Sequence, residues 1–136
     1  MSLEIPGLSR RREAREDALA VLYQAEVAGD SVEAALAARE VPPDAYAIEI
    51  ADGVDEARDD LDALIGRHLK NWRIERMPIV DRLIARMAAW ELETQPETPT
   101  GVVLSEAVEL ASQYCGEKSP QFLNGVLSSV ADEVRG

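Results

Sequence analysis

The stretch PIVDRLIARMAAWELET, residues 78–94, decides the fold. Its apolar positions Val80, Leu83, Ile84, Met87, Ala88 and Trp90 or Glu91 return at the three- and four-residue steps that stack side chains on one face of an α-helix. Pro78 suits the first turn, where its fixed φ is already helical and its missing N–H has no intrahelical partner to lose. Beyond Thr94, the two prolines Pro96 and Pro99 make the segment to Gly101 a loop.

The same pattern spreads outward from this helix. Downstream, a helix is predicted over about Val102–Tyr114, ended at Cys115-Gly116 by a glycine in the left-handed C′ conformation. Ser119-Pro120 then offers an N-cap and a first-turn proline for a last helix to about Arg135. Upstream, Asp44 caps a helix to about Leu69 that carries Ile48, Ala51, Val54, Leu61, Leu64, Ile65 and His68. Its acidic run Asp55–Asp62 lies mostly on the solvent side, and a bend is expected near Gly53. Ser31 opens a short helix ended by Pro42-Pro43. Ser9 caps a first helix to Ala28, with Ala14, Ala18, Val21, Leu22 and Ala25 on one face and Gly29-Asp30 as its stop. Residues 1–8, broken by Pro6-Gly7, are expected to be a flexible N-terminus. Residues 9–136 form one all-α domain of six to seven helices.

Composition agrees. The chain has 136 residues, enough for one core, and 46% of them are hydrophobic while only 4% are aromatic. Leu, Val, Ile and Ala must therefore fill that core, and the aromatic signal of a sheet protein is thin. No apolar run is long enough to span a membrane, and no signal-peptide core follows the basic residues 10–15. A single cysteine, Cys115, excludes an internal disulfide and fits a reducing compartment, the cytoplasm.

Catalysis finds no support. His68 and Cys115 are the only imidazole and thiol in the chain, too few for a zinc site, so no metal or cofactor is expected. No glycine-rich phosphate loop is present. Carboxylate pairs such as Asp55-Glu56 and Asp59-Asp60 sit in charged helix faces, which points to solvated surface rather than acid–base chemistry. The chain is not expected to be an enzyme.

The charge is unevenly spread. Net charge is −12, yet between Glu16 and Gly66 stand 14 acids and two bases, while the rest of the chain balances. Arg10, Arg11, Arg12 and Arg15 cluster at the first helix's start, and Arg67, Lys70, Arg73, Arg76 and Arg82 form a second group. Cations at a helix N-terminus oppose its dipole at a few tenths of a kcal/mol each, about 0.3 or more. Two readings stay open on the residues alone: a solubilising face paired with Glu13 and Glu16, or an anion site for a phosphate backbone.

Four segments in register resemble one family. Arg11-Arg12-Glu13-Ala14-Arg15-Glu16 with Ala18-Leu19-Ala20-Val21-Leu22-Tyr23 resembles the arginine-rich opening helix of NusB transcription antitermination factors. Asp81-Arg82-Leu83-Ile84 through Trp90-Glu91-Leu92 resembles their fourth helix. Ser105-Glu106-Ala107-Val108-Glu109-Leu110-Ala111 is similar to their NEA-ELA helix, and Ser119 with Phe122-Leu123-Asn124-Gly125-Val126-Leu127 to their F-NGVL helix. The acidic segment 30–65 matches least well.

The resemblance implies two small helical bundles packed crosswise. It implies binding to the boxA element of ribosomal RNA leaders together with NusE, a small-subunit ribosomal protein, in the elongation complex of RNA polymerase and other Nus factors. By position, the implied RNA contacts are Arg11, Arg12, Arg15, Gln121, Phe122 and Asn124, and the implied NusE contacts are Tyr23, Glu75 and Asp81. The chemistry suits these roles. Arginines position phosphates, an aromatic ring stacks an unpaired base, and side-chain amides bond base edges. Phe122 reads equally as a core residue, and Gly125 as a site of close helix packing first and of RNA approach second. An acidic face suits a basic ribosomal protein.

Glu13 stands where the family often continues its arginine run, and Lys118 where it commonly has an acid. Lys118 is accordingly added to the RNA contacts as a partial compensation. Competing readings are a helical adaptor for proteins alone and the NusB-like domain of a ribosomal RNA cytosine methyltransferase, which fits only if these residues are a fragment of a longer chain. Homodimerisation through a helical face, which would hide the RNA surface, stays open. The Lys118→Asp variant is expected to bind RNA more weakly and with a flatter salt dependence; an unchanged salt slope contradicts that compensation.

Overall fold

In the computed structural model, residues 8–70 and 73–136 are described, and they form seven α-helices, one 3₁₀ turn and no strand. The flexible terminus expected for residues 1–8 lies outside them save for Leu8, which already opens a helix. The helices are α1 (Leu8–Ala28), α2 (Val32–Ala37), α3 (Ala45–Glu56), α4 (Arg58–Gly66), α5 (Ile79–Thr94), α6 (Thr100–Tyr114) and α7 (Ser119–Arg135), with the 3₁₀ turn at Ile74–Arg76. They fall into two compact units, one ending at Asp52 and one running Gly53–Gly136.

In the first unit, α1 presents Ala14, Ala18, Val21 and Leu22 to the interior, as its spacing dictates. It ends at Gly29, whose φ of 70° is left-handed, and the Asp30 amide returns to the Ala25 carbonyl at 3.0 Å. That is the six-to-one closure that satisfies an orphan helix-end carbonyl. Ser31 caps α2 by accepting from the Ala34 amide at 3.0 Å. Asp44 caps α3 likewise, its Oδ1 accepting from the Tyr46 amide at 2.9 Å. Buried Tyr46, Ala47, Ile50 and Ala51 then line the inner face of α3.

The second unit is built on α5, in which every residue from Leu83 to Leu92 is buried. A helix with no solvent face needs neighbours all round, and α4, α6 and α7 supply them. Two charges lie within this fully buried stretch. Arg86 donates to both carboxylate oxygens of Asp62 on α4, at 2.6 and 2.9 Å, so one member of the acidic run faces inward. Glu91 is the other, at 2% exposure. Arg135 at the end of α7 donates to the carbonyls of Glu91, Leu92, Gln95 and Thr98 and to the Thr100 hydroxyl, at 2.7 to 3.3 Å. A cation thus satisfies the open carbonyls at the C-terminus of α5, where the helix dipole favours positive charge.

Several local expectations are corrected. Ser9 lies within α1 rather than before it. The short helix stops at Ala37, ahead of the proline pair, because the Ala38 and Arg39 amides already close its last turn. The long third helix is two helices, broken at Ala57 (φ −97°, ψ 11°) and not at Gly53. Gly53 is needed for another reason: a Cβ there would collide with the indole of Trp90. Gly116 is not left-handed; α6 ends in the extended Cys115 (φ −119°, ψ 176°). Ser119 is the first residue of α7 and caps nothing, since its hydroxyl is turned to Asp81.

An exposed cluster ties α7 to the end of α4. Glu133 accepts from Arg67 Nη2 at 2.6 Å and Nε at 3.3 Å, and its Oε1 lies 2.9 Å from His68 Nε2. Arg67 first and His68 second hold the Glu133 carboxyl down at about 2, against an ordinary 4.5. A depressed folded-state pKa means stability that is complete above 4.5 and is lost as pH falls toward about 2. Glu133→Gln is expected to flatten that acid limb in a pH series of thermal melts; an unaltered limb contradicts the assignment. Gly53→Ala is expected to destabilise by about 1–3 kcal/mol through overpacking against Trp90, although the same change in an open helix would stabilise by about 1 kcal/mol. A raised denaturation midpoint would refute the close approach.

Candidate nucleic-acid interface

The implied contact residues fall into both units. In the first unit, Arg11 and Arg12 are exposed on the opening turn of α1. The Arg11 guanidinium carbon sits 3.8 Å from the centre of the Tyr46 ring. Arg10 is turned to Asp44, Nε to Oδ2 at 2.6 Å. The Asp44 carboxyl, held first by the Tyr46 amide and then by Arg10, stays below the usual carboxylate range. Arg10, Arg11, Asp44, Ala45, Tyr46 and Glu49 line a cleft of about 400 Å³.

Arg15 is placed differently from the expectation. It shares a column with Arg11, yet it follows Ala14 to the core side and is only 4% exposed. The exposed arginines of this helix start are therefore Arg10, Arg11 and Arg12. Tyr23, about two turns beyond Arg15 on α1, is 44% exposed, and Val27 one turn beyond it is 57% exposed. Together they give the helix an apolar outer patch.

In the second unit, Met77, Pro78, Asp81, Lys118, Ser119 and Phe122 enclose a mostly apolar cleft of about 380 Å³. Phe122 is half-buried, so its ring serves the core on one side and the cleft on the other. Lys118, Gln121 and Asn124 are exposed. Asp81 is buried in the first turn of α5 and accepts from Ser119 Oγ at 2.5 Å. Burial, and then the Asp81 hydrogen bond, push the Cys115 thiol up to about 12. That leaves it protonated and a poor nucleophile at neutral pH. Asp81 thus fixes the start of α7 to the start of α5 from inside. Glu75, on the 3₁₀ turn, is exposed.

Gly125 departs from the packing role expected of it. It is exposed, and a Cβ built on it meets nothing within 4 Å. The sequence also gave no sign of Tyr46 as a neighbour of the arginines. Its only signal is its place two residues after a helix cap, 35 positions from Arg11.

Nothing in either cleft gathers a nucleophile, a base and an oxyanion donor. What the surfaces offer is cationic forks, an aromatic face and amide side chains, the groups that bind single-stranded nucleic acid. Among the described residues, no helix is long and apolar enough to cross a membrane.

Residues 12–132 match the model of the NusB family. The chain is 42% identical over 133 residues to the transcription antitermination protein NusB of Clavibacter sepedonicus, covering 91% of this chain and 97% of that one. Its identity to the protein of the same name from Bacillus subtilis is 39% over 127 residues, covering 92% and 97%. Among solved structures, NusB of T. maritima superposes with a TM-score of 0.83 at 31% identity, covering 96% of this chain and 94% of that one. A complex of the antitermination factors NusB and NusE with double-stranded RNA contains a chain that superposes with a TM-score of 0.79 at 27% identity, covering 93% and 98%.

Proposed function

Because the chain belongs to the NusB family of transcription antitermination proteins, we propose that it binds the boxA element of ribosomal RNA leaders together with NusE and so keeps RNA polymerase elongating. It works by binding alone, in the cytoplasm, without catalysis. The observation that carries the reading is the cleft at the start of α7, where the half-buried ring of Phe122 lies beside the exposed Lys118. An aromatic face next to a cation suits an unpaired base and its phosphate, and stacking of this kind is worth about 1–3 kcal/mol per base.

The remaining parts follow from chemistry. Arg11 and Arg12 contact phosphates and set position rather than sequence. Gln121 and Asn124 reach base edges from the exposed side of α7. Gly125 leaves that face bare, so a strand can approach the helix backbone there. Arg15 supports from the interior rather than by direct contact. NusE contacts are the apolar patch of Tyr23 and Val27 in the first unit and, in the second, the exposed Glu75, with Asp81 acting indirectly by fixing α7. The acids between Glu16 and Gly66 attract a basic partner and keep RNA to the arginine-bearing helix start.

The test is a titration of labelled boxA RNA and a shuffled control, with and without NusE, at two salt concentrations. The expected result is preferential boxA binding that tightens with NusE and falls with salt. Phe122→Ala is expected to weaken it by roughly 5- to 150-fold, the equivalent of one lost stack. Equal, feeble binding to both RNAs with NusE present would overturn the RNA role and leave a helical adaptor for proteins.

A further inference from the structure

We propose that Tyr46 is a positioning residue for RNA, acting through Arg11. The inference rests on the RNA-binding reading above and adds to it a residue outside the implied contacts. Arg11 is a surface arginine, and such a side chain ordinarily samples many rotamers that binding must freeze. Here its guanidinium carbon lies over an aromatic ring, 3.8 Å from the centroid.

The ring cannot drift. Tyr46 is 6% exposed in the first turn of α3. Its amide is held by Asp44 at 2.9 Å, and Asp44 is held in turn by Arg10 at 2.6 Å. The neighbouring arginine therefore locks the platform instead of competing for it. A guanidinium stacked by its face keeps its N–H groups in the plane, pointing outward at the rim. Two of them can take a phosphate side-on without breaking the stack. Arg11 thus meets RNA as a pre-set fork, and Arg10 serves as a strut of the cleft rather than as a contact.

The contribution is that of a cation–π pair at an exposed site, which corresponds to a change of about 2- to 5-fold in affinity. A double-mutant cycle reads it, with boxA RNA at fixed salt and NusE present. Tyr46→Leu is expected to weaken binding by about 2- to 5-fold, and Tyr46→Phe, which keeps the ring, to restore it. In an Arg11→Ala background, Tyr46→Leu is expected to have no further effect. Arg11→Lys, a surface change that leaves the fold alone, is expected to lose at least as much as Tyr46→Leu, because an ammonium neither stacks flat nor forks. In the free protein, the Arg11 Nε–H resonance is expected upfield under the ring current, in Tyr46→Phe as well, and to move to its ordinary position in Tyr46→Leu. The proposal is overturned by undiminished affinity in Arg11→Lys, by a Tyr46→Leu loss that persists without Arg11, or by an unshifted resonance in the parent protein. Failure of the underlying RNA reading looks different: the parent protein then binds boxA no better than its shuffled control, while the resonance keeps its upfield position.

Discussion

The architecture of the second unit depends on one constraint, that α5 is buried on every side from Leu83 to Leu92. A helix in that position must have its apolar stripe covered, its charges neutralised and its ends satisfied by neighbouring elements. α4 answers with Asp62, which pairs with the otherwise isolated Arg86. Unpaired, that charge would destabilise the fold by several kcal/mol, about 3–5 for a broken buried pair. α7 answers at both ends of α5, with Ser119 on Asp81 at the start and Arg135 on the terminal carbonyls at the finish. Trp90 needs a residue with no side chain opposite it, and Gly53 provides it.

The candidate site is a consequence of these ties. Because Asp81 grips Ser119, the first turn of α7 is held where Phe122 closes one side of a cleft with Met77 and Pro78. The groups facing outward are then Lys118, Gln121 and Asn124, which no core contact requires. In the first unit the logic is similar at smaller scale. The cap of α3 fixes Tyr46, and Tyr46 fixes the direction in which Arg11 leaves the surface. In both units an interior or capping interaction decides what an exposed side chain offers.

The helices were legible because apolar spacing is a strong signal over ten or more residues. The stripe of residues 78–94 and the stretch from Ser119 to Arg135 gave their elements almost to the residue. Local stereochemistry was less legible. Pro42-Pro43 marked a stop, but α2 had already closed its last turn at Ala37. Gly53 invited a bend, although its reason lies in an indole 37 positions away. Arg15 illustrates the limit for the site. Its spacing from Arg11 places the two on one side of a helix, but only packing reveals that Arg15 has crossed to the buried edge. Tyr46 carried no signal beyond its place after the Asp44 cap, since a stack between distant helices leaves no pattern in sequence.

The excess acid of the chain and its nucleic-acid role are reconciled by distribution. The acids are concentrated between Glu16 and Gly66, and Arg11, Arg12 and Lys118 are exposed at helix starts. The measurement that tests this account most directly is amide-shift mapping of isotope-labelled protein titrated with boxA RNA in the presence of NusE. The account predicts shifts concentrated at Arg11, Arg12 and Lys118–Gly125, with Asp55–Asp62 undisturbed by RNA. Shifts absent from both helix starts, or gathered on Asp55–Asp62, would contradict it.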